Sequence, residues 1–265
     1  MSVNTMAKLA RRSDKMAGMT EPALVLLHAF PLDSRMWNAV REPLSSRFRV
    51  ITADQRGLGR SPLPESDREP SLADAARDVV ALLDKLELDE VVLGGCSMGG
   101  YLAMAVLRQA PERIAGLVLI DTKATPDTPE AAQTRLDVAA RVEVDGIEGW
   151  LAEENLPNLL APGTPDEIVE TVRGIIESQP PEGIAWTARA LRTRPDSVEL
   201  LRGTDIPALV IVGEHDAITP VEAASRMAEA LPDATLVVVP DAGHLTPLEA
   251  PADVVEAILS WRDQA

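Results

Sequence analysis

Six short apolar runs constrain this chain more than any other feature. They are Ala23–Leu27, Phe48–Ala53, Glu90–Leu93, Ile114–Ile120, Ala208–Val212 and Thr235–Val239, and each gives way to a polar or glycine-containing loop. Runs without polar alternation belong to strands covered on both faces. Helical patterns lie between them. From Ser71 to Leu86 the residues Leu72, Ala75, Ala76, Val79, Leu82, Leu83 and Leu86 recur at helical spacing. Further helices are predicted around Met36–Val40, capped by Ser34 or Asp33, and over Tyr101–Arg108, Val221–Leu231 and Ala252–Arg262. Strands alternating with helices imply a parallel sheet joined by right-handed crossovers.

The rhythm breaks after Asp121. From Lys123 to about Gly203 helical stretches are predicted near Glu130–Val144, Gly146–Glu154, Pro165–Glu177 and Gly183–Leu191, separated by prolines and glycines. Insertions of this kind sit over the open end of a sheet as lids. The expected organisation is therefore a tail at 1–22, a core at 23–122 and 204–265, and a helical cap at 123–203. Trp150, Leu156, Leu159, Leu160 and Trp186 are candidates for a pocket wall in the cap. The competing reading makes them the insertion's own core.

Composition narrows the function. A net charge of −17 over 265 residues argues against partners that present phosphate, whether nucleic acid or an anionic membrane surface. The single cysteine excludes an internal disulfide and suits a reducing cytoplasm. No apolar run approaches the roughly 18 residues needed to span a bilayer. The first 20 residues carry Lys8, Arg11, Arg12 and Lys15 without an apolar stretch, a poor signal peptide that reads as a mobile tail, with translation able to start as late as Met19. The three histidines lack metal-ligand spacing, and no Walker loop or dinucleotide fingerprint is present, so neither metal nor cofactor is expected.

The most pointed local pattern is Gly94-Gly95-Cys96-Ser97-Met98-Gly99-Gly100, between an apolar run and a buried helix. The spacing Gly95-x-Ser97-x-Gly99 matches a strained strand-to-helix turn that lifts a serine hydroxyl out of the backbone. Cβ atoms at the glycines would clash where strand and helix crowd each other. A tightly packed turn without chemistry is the bland alternative. Cys96 is a poorer nucleophile, because in its register Met98 falls where the second glycine must be. In an open parallel sheet, chemistry gathers at the carboxyl ends of the strands. Four polar groups emerge there in separate loops: His28, Ser97, Asp216 and His244. A serine needs a base within hydrogen-bond reach, and the base needs a carboxylate. His215 shares a tight loop with Asp216 and cannot easily face both it and Ser97, whereas His244 follows the last strand and can fold back over the turn.

With these motifs the chain resembles the α/β-hydrolase superfamily, in its small serine esterase, lactonase and haloperoxidase-like branch. The resemblance runs from about Ala23 to the C-terminus, apart from the insertion. It is carried by His28-Ala29-Phe30-Pro31, Asp54-Gln55-Arg56-Gly57-Leu58-Gly59-Arg60-Ser61, Gly95-Cys96-Ser97-Met98-Gly99, and Gly213-Glu214-His215-Asp216 with Gly243-His244. It implies a mostly parallel α/β-hydrolase sheet flanked by helices, with Ser97 as nucleophile, His244 as base and Asp216 as acid in family order. It places the oxyanion hole at the backbone N–H groups of Phe30 and Met98, and substrate contacts at His28, Trp150, Trp186 and Leu245. The implied activity is hydrolysis of a small or medium carboxylic ester through an acyl-enzyme. A 3-oxoadipate enol-lactonase-like enzyme and a non-catalytic small-molecule binding protein are the alternatives. Ala29 stands where the family usually has glycine. No N-terminal hairpin pattern is visible, so about six strands are expected. Asp121, which ends the strand after the turn's helix, competes with Asp216 for the acid's role.

Overall fold

The computed structural model describes residues 22–264. The predicted N-terminal tail lies outside the described residues, apart from Pro22. Six strands form one sheet in the order β2-β1-β3-β4-β5-β6, every neighbouring pair parallel. They are β1 (Ala23–Leu27), β2 (Arg49–Ala53), β3 (Val91–Cys96), β4 (Ile114–Ile120), β5 (Ala208–Gly213) and β6 (Ala234–Val239). This is the mostly parallel sheet of about six strands that the α/β-hydrolase resemblance implies. The inner strands β1, β3 and β5 are buried along their whole length, and β4 at all but one position. The edge strands β2 and β6 are only partly covered. Continuous apolar runs therefore mark the strands with neighbours on both sides and helices above and below.

Helices α1 (Asn38–Leu44) and α11 (Pro251–Gln264) pack together, as do α2 (Leu72–Lys85) and α3 (Met98–Gln109). Ser71 caps α2 by accepting from the Ala73 N–H at 3.1 Å. Asp33, not Ser34, caps the turn before α1, where a 3₁₀ segment (Ser34–Trp37) precedes the helix. β3 extends three residues past its predicted end, because Gly94, Gly95 and Cys96 keep parallel partners in β4.

Between β4 and β5 lie α4 (Pro129–Asp145), α5 (Leu151–Leu159), α6 (Asp166–Glu177), α7 (Pro181–Arg192) and α8 (Val198–Arg202), with no strand among the described residues. The helix predicted over Gly146–Glu154 starts at Leu151 instead. Gly146 and Gly149 hold φ of 71° and 74°, which interrupts the helical backbone before it can resume. α4 packs chiefly on α7, and α5 on α6. Short α9 (Val221–Ala230) and α10 (Thr246–Glu249) complete the chain between β5 and α11.

The strand order turns back between β1 and β3. β1 is followed by β2 on one side, whereas β3 and β4 continue on the other. Loops leaving the carboxyl ends of adjacent strands diverge at such a point and open a crevice between them. The loop after β1 and the turn after β3 are the two that flank it.

Candidate active site

The turn after β3 is built by close approach. Ser97 holds φ 52° and ψ −111°, a region that a residue with a side chain adopts only when its surroundings compel it. A Cβ on Gly95 would fall 2.1 Å from the Gly99 carbonyl carbon, and one on Gly99 2.0 Å from the Leu27 backbone oxygen. The start of α3 is thus pressed against the end of β1. Gly99→Ala is expected to lower Tm by about 5–10 °C, since neither backbone can retreat without disturbing the sheet. Calorimetry measures this directly, and an unchanged Tm would show the packing there to be loose.

The serine hydroxyl meets an imidazole. Ser97 Oγ lies 2.7 Å from His244 Nε2, and His244 Nδ1 lies 2.8 Å from Asp216 Oδ2. All three residues are buried, with Ser97 8% exposed. Asp216 is held by the loop that carries it. Its Oδ1 accepts from the N–H groups of Ile218 and Thr219, each at 2.8 Å, and its Oδ2 accepts the Thr219 hydroxyl at 2.7 Å. Burial pushes the Asp216 carboxyl up. The hydrogen bond and charge of His244, with the Thr219 bonds, outweigh burial and hold it below its ordinary value of 3.8. The folded state thus gives up this proton more readily than the unfolded chain. The interaction adds stability above pH 3.8 and loses it as pH falls through the lowered folded value. Thr219 was not singled out from the sequence. The signal was an Asp followed two and three residues on by backbone donors, just before a helix.

Asp121 belongs to a different arrangement. It too sits at a positive φ, 45°, and is fully buried. Its Oδ1 accepts from Gly213 N at 3.0 Å, and its Oδ2 from Thr246 N at 3.0 Å and the Thr246 hydroxyl at 2.7 Å. It fastens the end of β5 to the residues after His244 and makes no hydrogen bond to the imidazole. Burial, then the charge of Asp216, raises its carboxyl well above the usual range. Asp121→Asn can keep its one remaining oxygen on the Thr246 N–H and hydroxyl, which turns its NH₂ toward the Gly213 N–H and leaves that buried donor without an acceptor, a cost of about 1–3 kcal/mol. Turnover should stay within about tenfold of the parent, in contrast to the effect at Asp216. Denaturant melts and steady-state rates on the same sample check both halves.

Cys96 is fully buried, with Sγ 3.8 Å from Asp121 Oδ2. Burial, then the charges of Asp121 and Asp216, keeps the thiol protonated and unreactive. The backbone N–H groups of Met98 and Phe30 have no acceptor among the described residues. The Thr122 hydroxyl donates to the Ser97 carbonyl at 2.8 Å and braces the turn from β4's side.

The predicted substrate contacts are scattered. His28 is fully buried, and both ring nitrogens are occupied: Nε2 accepts from Gln55 N at 2.9 Å, so Nδ1 carries the proton toward Ala29 O at 3.0 Å. Burial lowers its pKa and keeps it neutral. His28 therefore pins the loop after β1 to the loop after β2 and offers no nitrogen to a ligand. Ala29 is likewise buried, its N–H pointing at Met36 Sδ. Leu245 is fully buried. Trp150 bonds Gly146 O through its indole N–H and lies under Arg141, at the junction of α4 and α5. Trp186 on α7 is partly buried beneath Arg56. Glu214, His215 and Asp241 come within 4.8 Å of one another on the surface, a metal-capable grouping that local spacing could not disclose because Asp241 arrives from a separate loop.

Known proteins share this fold. The profile of the alpha/beta hydrolase family matches residues 24–257. The chain is 33% identical to a pimeloyl-[acyl-carrier protein] methyl ester esterase of Chromobacterium violaceum, across 89% of this chain and 92% of that one. Among solved structures, a malate-bound thermophilic esterase of Thermogutta terrifontis is 44% identical, with TM-score 0.89 and coverage of 92% and 90%. The enol-lactonase of Burkholderia xenovorans LB400 is 27% identical, with TM-score 0.81 and coverage of 92% of each chain. No helix of the described residues is long and apolar enough to cross a membrane. The chain belongs to the alpha/beta hydrolase family.

Proposed function

We propose that this hydrolase is a serine esterase that cleaves small or medium carboxylic esters through an acyl-enzyme on Ser97. The observation that carries the reading is the continuous line from Ser97 Oγ through His244 to Asp216, with steps of 2.7 and 2.8 Å. Ser97 attacks the ester carbonyl as its proton passes to His244 Nε2. Asp216 accepts from Nδ1, fixing the tautomer and stabilising the imidazolium. The N–H groups of Phe30 and Met98 receive the developing alkoxide, each worth about 3 kcal/mol of barrier when well aimed. His244 then protonates the leaving alcohol and activates water to release the acid. Residues 123–203 act as the cap that shields this chemistry from solvent, and the enzyme works in the cytoplasm.

A lactonase is the second reading. It draws on the likeness to the enol-lactonase and uses the same groups, the ring alcohol remaining attached to the acyl chain. A burst of nitrophenol from a short acyl ester, with a fluorophosphonate adduct mapped to Ser97, tests the proposal. A panel of acyl esters and lactones then separates the two activities. Absence of both burst and adduct would leave the fold as a binding protein.

A further inference from the structure

Three consecutive backbone N–H groups around the base find their acceptors outside the sheet. Gly243 N and Leu245 N both donate to Glu249 Oε1, each at 3.1 Å. Between them, His244 N donates at 3.1 Å to the carbonyl of Leu159, the last residue of α5. The second oxygen of Glu249 serves the same helical insertion. Oε2 accepts from Ala161 N at 2.7 Å and from the Thr164 hydroxyl at 3.0 Å, both in the loop between α5 and α6. One carboxylate thus grips the two neighbours of His244 with one oxygen and the insertion with the other.

The two backbones are in close contact at this point. A Cβ on Gly243 would fall 2.5 Å from Ala161 N and 2.8 Å from the Leu160 carbonyl carbon. Gly243, His244, Leu245, Leu159 and Ala161 are all buried, while Glu249 is partly buried. Glu249 forms no ion pair among the described residues, so its charge is committed to these four donors. Hydrogen bonds to an ionised acceptor are about twice as strong as neutral ones. The Asp216 carboxylate orients the imidazole ring, but it does not fix the backbone that carries the ring. The 2.7 Å step from Ser97 Oγ to His244 Nε2 tolerates little movement of that backbone. A misplacement of about 1 Å at a reacting group costs on the order of 10² in rate.

We propose that Glu249 is a positioning residue, which makes the place of the catalytic base depend on the seat of the α5–α6 loop. Displacing that loop takes the donors from Oε2 and withdraws the Leu159 carbonyl from His244 N, so the imidazole loses its fixed distance to Ser97. The inference rests on the serine hydrolase reading and adds to it a residue that acts through His244.

Two substitutions test it. Glu249→Ala removes both halves of the clamp. Glu249→Gln must abandon one half, since its NH₂ faces either the N–H groups of Gly243 and Leu245 or that of Ala161. With nitrophenyl butyrate, Glu249→Ala should lose about 30- to 100-fold in kcat while KM stays within about twofold of the parent. Glu249→Gln should lose at least about fivefold in the same way, and it alone decides if Glu249→Ala does not fold. Leu83→Ala, a cavity in the buried face of α2, lowers stability without touching the clamp and should keep the parent kcat. Fluorophosphonate labelling of Ser97 should slow in both Glu249 variants and hold its rate in Leu83→Ala. Hydrogen exchange reads the segment itself. The His244 N–H, whose own acceptor is untouched by the substitution, should exchange at least about tenfold faster in Glu249→Ala. A kcat within about threefold of the parent in the folded Glu249 variants, or an equal loss in Leu83→Ala, would overturn the proposal. A parent protein that forms no Ser97 adduct would instead sink the hydrolase reading.

Discussion

Ser97→Ala is expected to lower kcat by about 10⁶, the scale seen when the nucleophile of a serine hydrolase is removed. The substitution deletes the attacking oxygen and leaves everything else in place. Gly95 and Gly99 still allow the turn, Thr122 still braces the carbonyl at position 97, and Asp216 still orients His244. Alanine inherits the backbone strain at φ 52° without adding to it, so Tm should move little. The experiment pairs ester hydrolysis with fluorophosphonate labelling and a thermal melt. Retention of a tenth of the parent rate in a folded protein would remove Ser97 from the mechanism. Cys96 offers no substitute, being buried and directed at Asp121.

Asp216→Asn should cost about 10⁴ in kcat, for a reason that can be read atom by atom. Oδ1 accepts two backbone N–H groups, those of Ile218 and Thr219. An asparagine must keep its carbonyl oxygen on that side, because turning its NH₂ there would set donor against donor. The NH₂ then faces His244 Nδ1. That nitrogen has to accept instead of donate, so the ring's proton moves to Nε2, opposite Ser97 Oγ. A base already protonated at that nitrogen cannot take the serine's proton. Folding should survive, since the shape is unchanged and two of the loop's bonds persist. The test is kcat measured beside a melt. A loss below tenfold would mean that another carboxylate serves His244, and the contrast with Asp121→Asn shows whether Asp121 is that group.

Parts of this molecule were legible because they depend on local chemistry. The runs at β1, β3, β4 and β5 announced a sheet covered on both faces, since a strand with neighbours everywhere has no use for polar side chains. The glycines at 95 and 99 announced a turn that no side chain could enter. What escaped had nonlocal causes. Trp150 and Trp186 read either as pocket wall or as the insertion's own core, because apolar content does not say which surface covers it. His28 looked available until Gln55, brought in by the neighbouring strand, occupied its second nitrogen.

The sequence by itself determined that a serine would be lifted out at a strand-to-helix turn, since strand, glycine and helix are written contiguously there. It also supplied a small set of partners in loops after later strands. Tertiary structure alone decided that Asp216 meets His244 while Asp121 ties β5 to the residues after the histidine. Both are acids at the ends of neighbouring strands, and only the three-dimensional placement of donors distinguishes them: Thr219 and His244 for one, Gly213 and Thr246 for the other. The same is true of Arg135 and Arg194, far apart in sequence and brought by folding to the one carboxylate of Asp127.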